Sequence, residues 1–311
     1  MHIPSLAGRT IAITGATGGI GRVAAVELAR AGAEVVLLVR DRSRAEATVA
    51  EIRAGSPSAN VSYRLGDLAL LADVRRLATE LASDHPKLHV LLNNAGAYFA
   101  SRELTSEGIE RTWALNVLSP LLLSHLLVDR LRAGAPARIV NVASAAHKGQ
   151  TLDFTDLEAS RSYSGFRVYG RSKLALIMMT YELARRLEGS GITVNALHPG
   201  FVATGFGRNN PGATGRVLAA LEFLFARRPA HGARTSVYLA GSPEVEGISG
   251  RYFADERPIR SSAASLDPAA RARLWPLLCA RAGIAPDTLP PPPVRPEAPG
   301  PPTNLTRPAS G

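Results

Sequence analysis

The stretch Thr14–Gly21, TGATGGIG, decides how the rest of the chain is read. A strand-like run, Thr10-Ile11-Ala12-Ile13, precedes it, and an amphipathic stretch, Arg22 to Ala31, follows. Strand, glycine turn and helix in that order form the setting a dinucleotide loop needs. Gly15 would permit the tight turn. Gly19 would let the backbone approach the phosphates, and Gly21 would let the helix pack close to the sheet. The diphosphate would sit on the helix N-terminus, where free N–H groups and the dipole favour an anion. Thr17, Gly18, Ile20 and Arg22 complete the candidate contacts of the loop. A plain β–α turn would use the same glycines, so the loop alone leaves both readings open.

Outward from the loop, apolar β-branched runs alternate with helical patterns. Strands are expected at Arg9–Thr14, Glu34–Val39, Asn60–Leu65, Leu88–Asn93, Ala137–Ala143 and Thr193–Leu197, with a last one at Gly250–Phe253. Helices are expected near 20–31, 43–54, 70–84, 107–133 and 167–189, and again over 263–283 around Trp275. This alternation predicts an α/β fold: a single doubly wound Rossmann-type domain, its parallel sheet covered by helices on both faces. In such sheets ligands sit beyond the carboxyl ends of the strands. The motifs that follow all lie there.

The second strand ends Leu38-Val39-Arg40. A ribose 2′-hydroxyl calls for a carboxylate at this point, and a 2′-phosphate for a cation. Arg40 offers a planar fork suited to phosphate, so NADP(H) is preferred over NAD(H), although Asp41 is adjacent. Asp67, followed by Leu68, ends the third strand. It would accept a hydrogen bond from an adenine amino group, or cap the next helix, or do both. Asn93-Asn94-Ala95-Gly96 ends the fourth strand, where small residues let the backbone lie against a ribose. Tyr169 and Lys173 stand at i and i+4 on one helix face. A nearby ammonium favours a phenolate and pulls the tyrosine toward working pH. Such a tyrosine passes a proton to or from a carbonyl oxygen. Ser144, after the fifth strand, would hold the same oxygen.

These pieces come in the order found in the short-chain dehydrogenase/reductase family, which the chain resembles over about residues 7–254. They are TGATGGIG, Asp67-Leu68, NNAG, Asn116, Ser144, Tyr169 with Lys173, and Pro199-Gly200 with Thr204. The branch it most resembles is retinol-dehydrogenase-like and WW-domain-oxidoreductase-like. That likeness rests on Arg138 to His147, on Tyr163-Ser164-Gly165-Phe166, on Glu182 to Leu187 and on Asn195 to Gly200. The resemblance implies that Tyr169 is the general acid in reduction and the base in oxidation. Lys173 would lower its pKa and hold the nicotinamide ribose, and Ser144 would bind the substrate oxygen. Asn116 would position a water in a relay through Lys173. Pro199, Gly200, Val202 and Thr204 would hold the nicotinamide. Many members of the branch use NADP(H), which agrees with Arg40. Ala143 departs from a second serine common in the branch, and Leu115 to Pro120 departs from its usual stretch. Homodimers or homotetramers through the helices near 107–133 and 167–189 are also implied.

For the substrate, His147, Tyr98, Phe99, Phe206, Phe223 and Phe225 are candidate pocket residues. His147 reads as a loop or rim residue rather than a catalyst. A lid is expected over about 205–231, where an apolar run, Val217 to Phe225, suits a lipophilic aldehyde, ketone or alcohol. Packing of an amphipathic helix explains Phe223 and Phe225 equally well. The expected domain order is a dinucleotide-binding domain over 1–254, a helical extension over 255–285 and a disordered proline-rich tail over 286–311.

The chain has 311 residues, a net charge of +10 and an isoelectric point near 10.4. Its cations are arginines scattered without a dense run, with lysine only at 87, 148 and 173. That favours attraction of an anionic small ligand over nucleic acid. Cys279 is the single cysteine, so no disulfide or cysteine metal site forms within one chain, and no metal is expected. No leader or bilayer-spanning run is apparent, and a cytoplasmic location is expected. Against the enzyme reading stand a non-catalytic NADP(H)-sensing module on the same fold and an interaction protein working through the Pro290–Pro293 tail.

Overall fold

In the computed structural model, residues 3–200 and 229–289 are described. The expected nicotinamide contacts Val202 and Thr204 and the expected pocket residues Phe206, Phe223 and Phe225 lie outside them, as does the tail from Pro290 onward.

One eight-stranded sheet runs through the molecule in the order β3-β2-β1-β4-β5-β6-β7-β8. The strands are β1 Thr10–Thr14, β2 Glu34–Val39, β3 Val61–Leu65, β4 Val90–Asn93, β5 Ala137–Val142, β6 Ile192–Leu197, β7 Tyr252–Ala254 and β8 Arg257–Ile259. All neighbours pair in parallel except β7 with β8. Alternation along the strands builds two cores. Ala12, Val36, Leu38, Leu91, Ile139 and Val194 face one side. Ile11, Ile13, Val35, Leu37, Leu92 and Val140 face the other. Both faces being covered, the strands read as continuous apolar runs.

Helices α1 Gly19–Arg30, α2 Arg42–Gly55 and α8 Pro229–Gly241 cover the second face. Helices α3 Leu71–Asp84, α5 Ser119–Leu126, α7 Gly165–Arg186 and α10 Pro268–Ala282 cover the first. The helix expected over 107–133 is broken. It comprises α4 Arg111–Trp113, a π turn Ala114–Leu118, α5, and α6 Val128–Ala133 beyond Leu127. Pro120, in the first turn of α5, lacks the N–H that a continuous ladder would need there. Strand β8 was not expected, since 255–285 read as helical. The two-residue turn before it, Asp255-Glu256, has φ of 46° and 63°, a hairpin conformation usually marked by Asn-Gly.

The C-terminal segment then crosses α7. Helix α9 Ala263–Leu266 leads into α10, which Asp267 caps through Ala269 and Ala270 and Gly283 closes at φ 63°. Trp275 is buried against the first-face core, and its indole donates to Pro286 O at 3.0 Å. Leu289 is buried too, so packing continues past the expected start of the tail at 286.

Candidate active site

The glycine loop leaves β1 at the carboxyl edge of the sheet. Gly15 has φ 67°, and a Cβ on it would stand 3.0 Å from Ala95 Cα. Thr14 binds this crossing together, its hydroxyl accepting the N–H groups of both Asn94 and Ala95 at 2.9 Å. Asn94 Nδ2 returns a bond to Thr14 O at 2.9 Å. Gly21 lets α1 approach, because a Cβ there would meet Gly15 O at 2.6 Å. The N-cap of α1 is Gly18, which supplies no side-chain acceptor, and the first turn holds no acidic residue. Ile20 packs inward against Ala233.

Of the two expected cations, Arg22 pairs with Glu51 at 2.5 Å, which draws it across to α2. Arg40 is exposed at the end of β2. A third arginine was missed: Arg44, in the first turn of α2, donates to Thr17 O at 2.9 Å. Its signal was the helix start, where Asp41 caps Arg44 N and so orients the first turn toward the loop. Asp67 accepts from Ala69 N at 2.9 Å and does not cap α3. The free N–H groups of Leu71 and Ala72 go instead to the Glu107 carboxylate, at 2.7 and 2.8 Å. Leu68 is buried in the core.

Ser144, Tyr169, Lys173 and Asn116 meet at the ends of β4 and β5. Tyr169 hydrogen-bonds the Ser144 side chain. The Lys173 Nζ lies 5.7 Å from the Tyr169 ring centre and donates to Val142 O at 2.9 Å. The π turn aims Asn116 inward. Its Oδ1 accepts Ala97 N–H at 2.9 Å, and its Nδ2 donates to Ala97 O and Ser172 Oγ, each at 3.0 Å. Gly96 separates Asn116 from Lys173: a Cβ there would stand 2.9 Å from Lys173 Nζ and 3.2 Å from Asn116 Oδ1. The expected lowering of Tyr169 by Lys173 does not occur. Burial pushes the phenol up to about 12, opposed by its bond to Ser144. Burial likewise pulls Lys173 down to about 8.

Around this cluster, Tyr98 touches Phe166 with ring centres 4.9 Å apart and presents an edge to Tyr169 at 6.4 Å. Phe166 is 61% exposed on the first turn of α7, an aromatic that the reading of the pocket omitted. Phe99 is buried beneath the Arg111 guanidinium, which lies 4.9 Å above its ring. His147 is not a rim residue: it has no solvent exposure, because its ring is held between Ser144 and Ser262. Pro199 and Gly200 follow β6, with Gly200 N donating to His198 Nδ1 at 3.2 Å. Among the described residues there is no cluster suited to a metal ion, and no helix is long and apolar enough to cross a membrane.

The family model described as short chain dehydrogenase matches residues 9–213. Retinol dehydrogenase 14 of Homo sapiens is 41% identical over 283 residues, covering 86% of this chain and 84% of its own length. A solved protein of Mycobacterium paratuberculosis, itself uncharacterised, superimposes with a TM-score of 0.73 at 31% identity, covering 91% of this chain and 96% of its own. A short chain dehydrogenase of Burkholderia cenocepacia, solved in complex with NADP, is 30% identical with a TM-score of 0.64, covering 80% and 96%. The chain belongs to the short-chain dehydrogenases, in their retinol-dehydrogenase-like branch, and is an oxidoreductase of CH–OH groups.

Proposed function

We propose that the protein interconverts a carbonyl and an alcohol on a lipophilic small molecule, with NADP(H) preferred and NAD(H) accepted less well. The observation that carries this reading is the bond between Tyr169 and Ser144 beside Lys173, with only β4 between the strand that ends there and the strand that ends in the glycine loop. The loop suits a dinucleotide. Side-chain capping leaves the N-terminus of α1 unfilled, and Arg44 stands over Thr17. Gly15, Thr17, Gly18, Gly19 and Asn94 to Gly96 would hold the diphosphate and adenosine side. Asp67 and Leu68 would take the adenine, and Lys173, Pro199 and Gly200 the nicotinamide ribose and ring. Arg40 and Arg44 would take a 2′-phosphate, and the NADP complex of the Burkholderia relative supports that preference. When bound, the nicotinamide supplies or accepts the hydride.

The chain's own residues handle the proton. With its value near 12, Tyr169 is protonated at neutral pH and donates to a carbonyl oxygen, as reduction requires. The Ser144 hydroxyl holds that same oxygen and stabilises the charge developing on it. Lys173, near 8, exchanges its proton close to working pH and can restore the tyrosine. Asn116 fixes the turn between Ala97 and Ser172, and with it the distance from β4 to α7. Tyr98 and Phe166 offer an aromatic wall next to Tyr169, which supports an apolar substrate. The names of the retinol dehydrogenase relatives support including retinoids in a substrate panel.

The test is NADPH consumption across lipophilic aldehydes and ketones, with Tyr169→Phe alongside. Turnover by the wild type alone, with NADPH bound equally by both, supports the enzyme. Equal binding without turnover in either would favour the sensing module. The lone cysteine, which suits a reducing compartment, supports a cytoplasmic location, and cell fractionation tests it. For self-association, α10 of the same chain packs on α7, one of the helices expected to form an interface. Dimerisation must therefore use another face or include α10, and sedimentation of full-length and 1–259 chains separates these cases.

A further inference from the structure

We infer that the C-terminal segment from Ser261 to Leu289 positions the catalytic serine, acting through His147. This rests on the role proposed for Ser144. The Ser144 carbonyl accepts from His147 Nδ1 at 2.7 Å and from the His147 backbone N–H at 3.3 Å. A ring nitrogen facing a carbonyl must carry the hydrogen, so Nε2 is the bare acceptor. Nε2 then takes the backbone N–H of Ser262 at 3.2 Å. Both ring nitrogens are thereby committed, one to the catalytic turn and one to the C-terminal segment. The ring is fully buried, with Tyr252 edge-on at 5.1 Å. Burial, reinforced by Lys148, disfavours its charged form and so preserves this tautomer.

Ser262 is itself fixed. Its neighbour Ser261 bonds the Tyr181 hydroxyl at 2.7 Å, and Ser265 Oγ bonds Ser261 Oγ at 2.8 Å and Ser262 O at 2.6 Å. Further along, Arg75 holds Ala282 O at 2.6 Å and Arg281 holds Glu158 at 2.5 Å. The connections therefore form a closed ring. It runs from Tyr181 on α7 through Ser261 and Ser262 to His147 and Ser144, and back to α7 at Tyr169. On its α7 side the Ala145–His147 turn lies flush, since a Cβ on Gly170 would meet Ala146 O at 2.7 Å. The reacting side chains fall within residues 9–213, whereas Ser261 to Leu289 lie beyond that stretch. His147 touches no reacting atom; it is a positioning residue.

The test uses the full chain with His147→Phe, His147→Asn and Ser262→Pro. Ser262 has φ −67°, which proline adopts, so that variant removes the N–H while sparing the turn. Three quantities are read: kcat on the carbonyl turned over fastest by the wild type, NADPH Kd, and the imidazole nitrogen signals of His147 by NMR. His147→Phe is expected to lower kcat roughly tenfold or more with NADPH Kd unchanged, because small misplacements of a reacting group are costly. His147→Asn, which retains a donor near the Nδ1 position, recovers most of that loss. Ser262→Pro lowers kcat about threefold and shifts the Nε2 signal of His147. Wild-type kcat in both His147→Phe and Ser262→Pro would overturn the inference, as would a loss confined to NADPH affinity. An unshifted Nε2 signal in Ser262→Pro overturns it even without turnover. An inactive wild type with a shifted signal would sink the proposed reaction and leave the tether standing.

Discussion

The glycine loop at Thr14–Gly21 and the cluster of Ser144, Tyr169 and Lys173 share one carboxyl edge of the sheet, yet they are built differently. The loop is made of backbone. Its shape comes from a positive φ at Gly15 and from the missing side chain at Gly21. The cluster is made of side chains brought from the end of β5, the π turn and α7: Asn116 and Lys173 are held by bonds to distant segments, and the Ser144 carbonyl by the neighbouring His147 ring. Space is what the loop provides, and a substitution there fails by collision. The cluster provides a desolvated set of polar atoms, and a substitution there fails by misplacing or neutralising one of them.

Lys173→Met should separate those modes most sharply. Burial holds the folded-state value of Lys173 below the unfolded one. Between about pH 8 and the ordinary lysine value, the unfolded chain therefore binds a proton that the native one lacks, and stability rises with pH across that window. Below pH 8 the buried charge costs the native state roughly 3 kcal/mol. Lys173→Met should lower kcat by roughly a hundredfold or more while raising cofactor-free thermal stability at pH 7, and the gain should shrink toward pH 10. Calorimetry at the two pH values checks the sign.

Two glycines of one loop give the next contrast. Gly21→Ala places a methyl against the Gly15 carbonyl and should cost about 2 kcal/mol of stability. Gly18→Ala meets only the Arg44 guanidinium, at 2.7 Å and at the end of a flexible side chain. It should leave stability within roughly 0.5 kcal/mol and weaken NADPH binding about tenfold, because the methyl stands where phosphate would approach. Denaturant melts and NADPH fluorescence titration read the pair. Equal destabilisation by both would remove the assigned difference. Smallest is the effect of Arg44→Ala. It should weaken NADPH about fivefold and leave NADH unchanged, since one charge-assisted contact to a 2′-phosphate is lost.

The same contrast explains what the sequence discloses. The loop, NNAG and the Tyr169/Lys173 pair are local, and their spacing alone sets their geometry. The strands before them are short apolar runs bounded by turn residues, so seven of the eight are legible to within two residues. What eluded reading depends on long-range partners. Glu107 caps α3 from 36 residues away, a role that no helix-start pattern near Leu71 announces. His147 looks like a loop residue until Ser262, 115 residues on, takes its second nitrogen. The break at Asn116 comes from a π turn, which leaves the apolar pattern of 107–133 nearly intact. The direction of the Tyr169 shift was misjudged for a related reason: spacing shows the neighbouring ammonium but not how deeply both groups are buried.

Transfer of deuterium from NADPH carrying deuterium at both nicotinamide C4 positions to a lipophilic ketone or aldehyde tests the account most directly. Mass spectrometry of the product should find one deuterium on the carbinol carbon with the wild type, and no product with Tyr169→Phe. An alcohol formed without deuterium, or equal yields from both proteins, would contradict a hydride transfer whose proton comes from Tyr169.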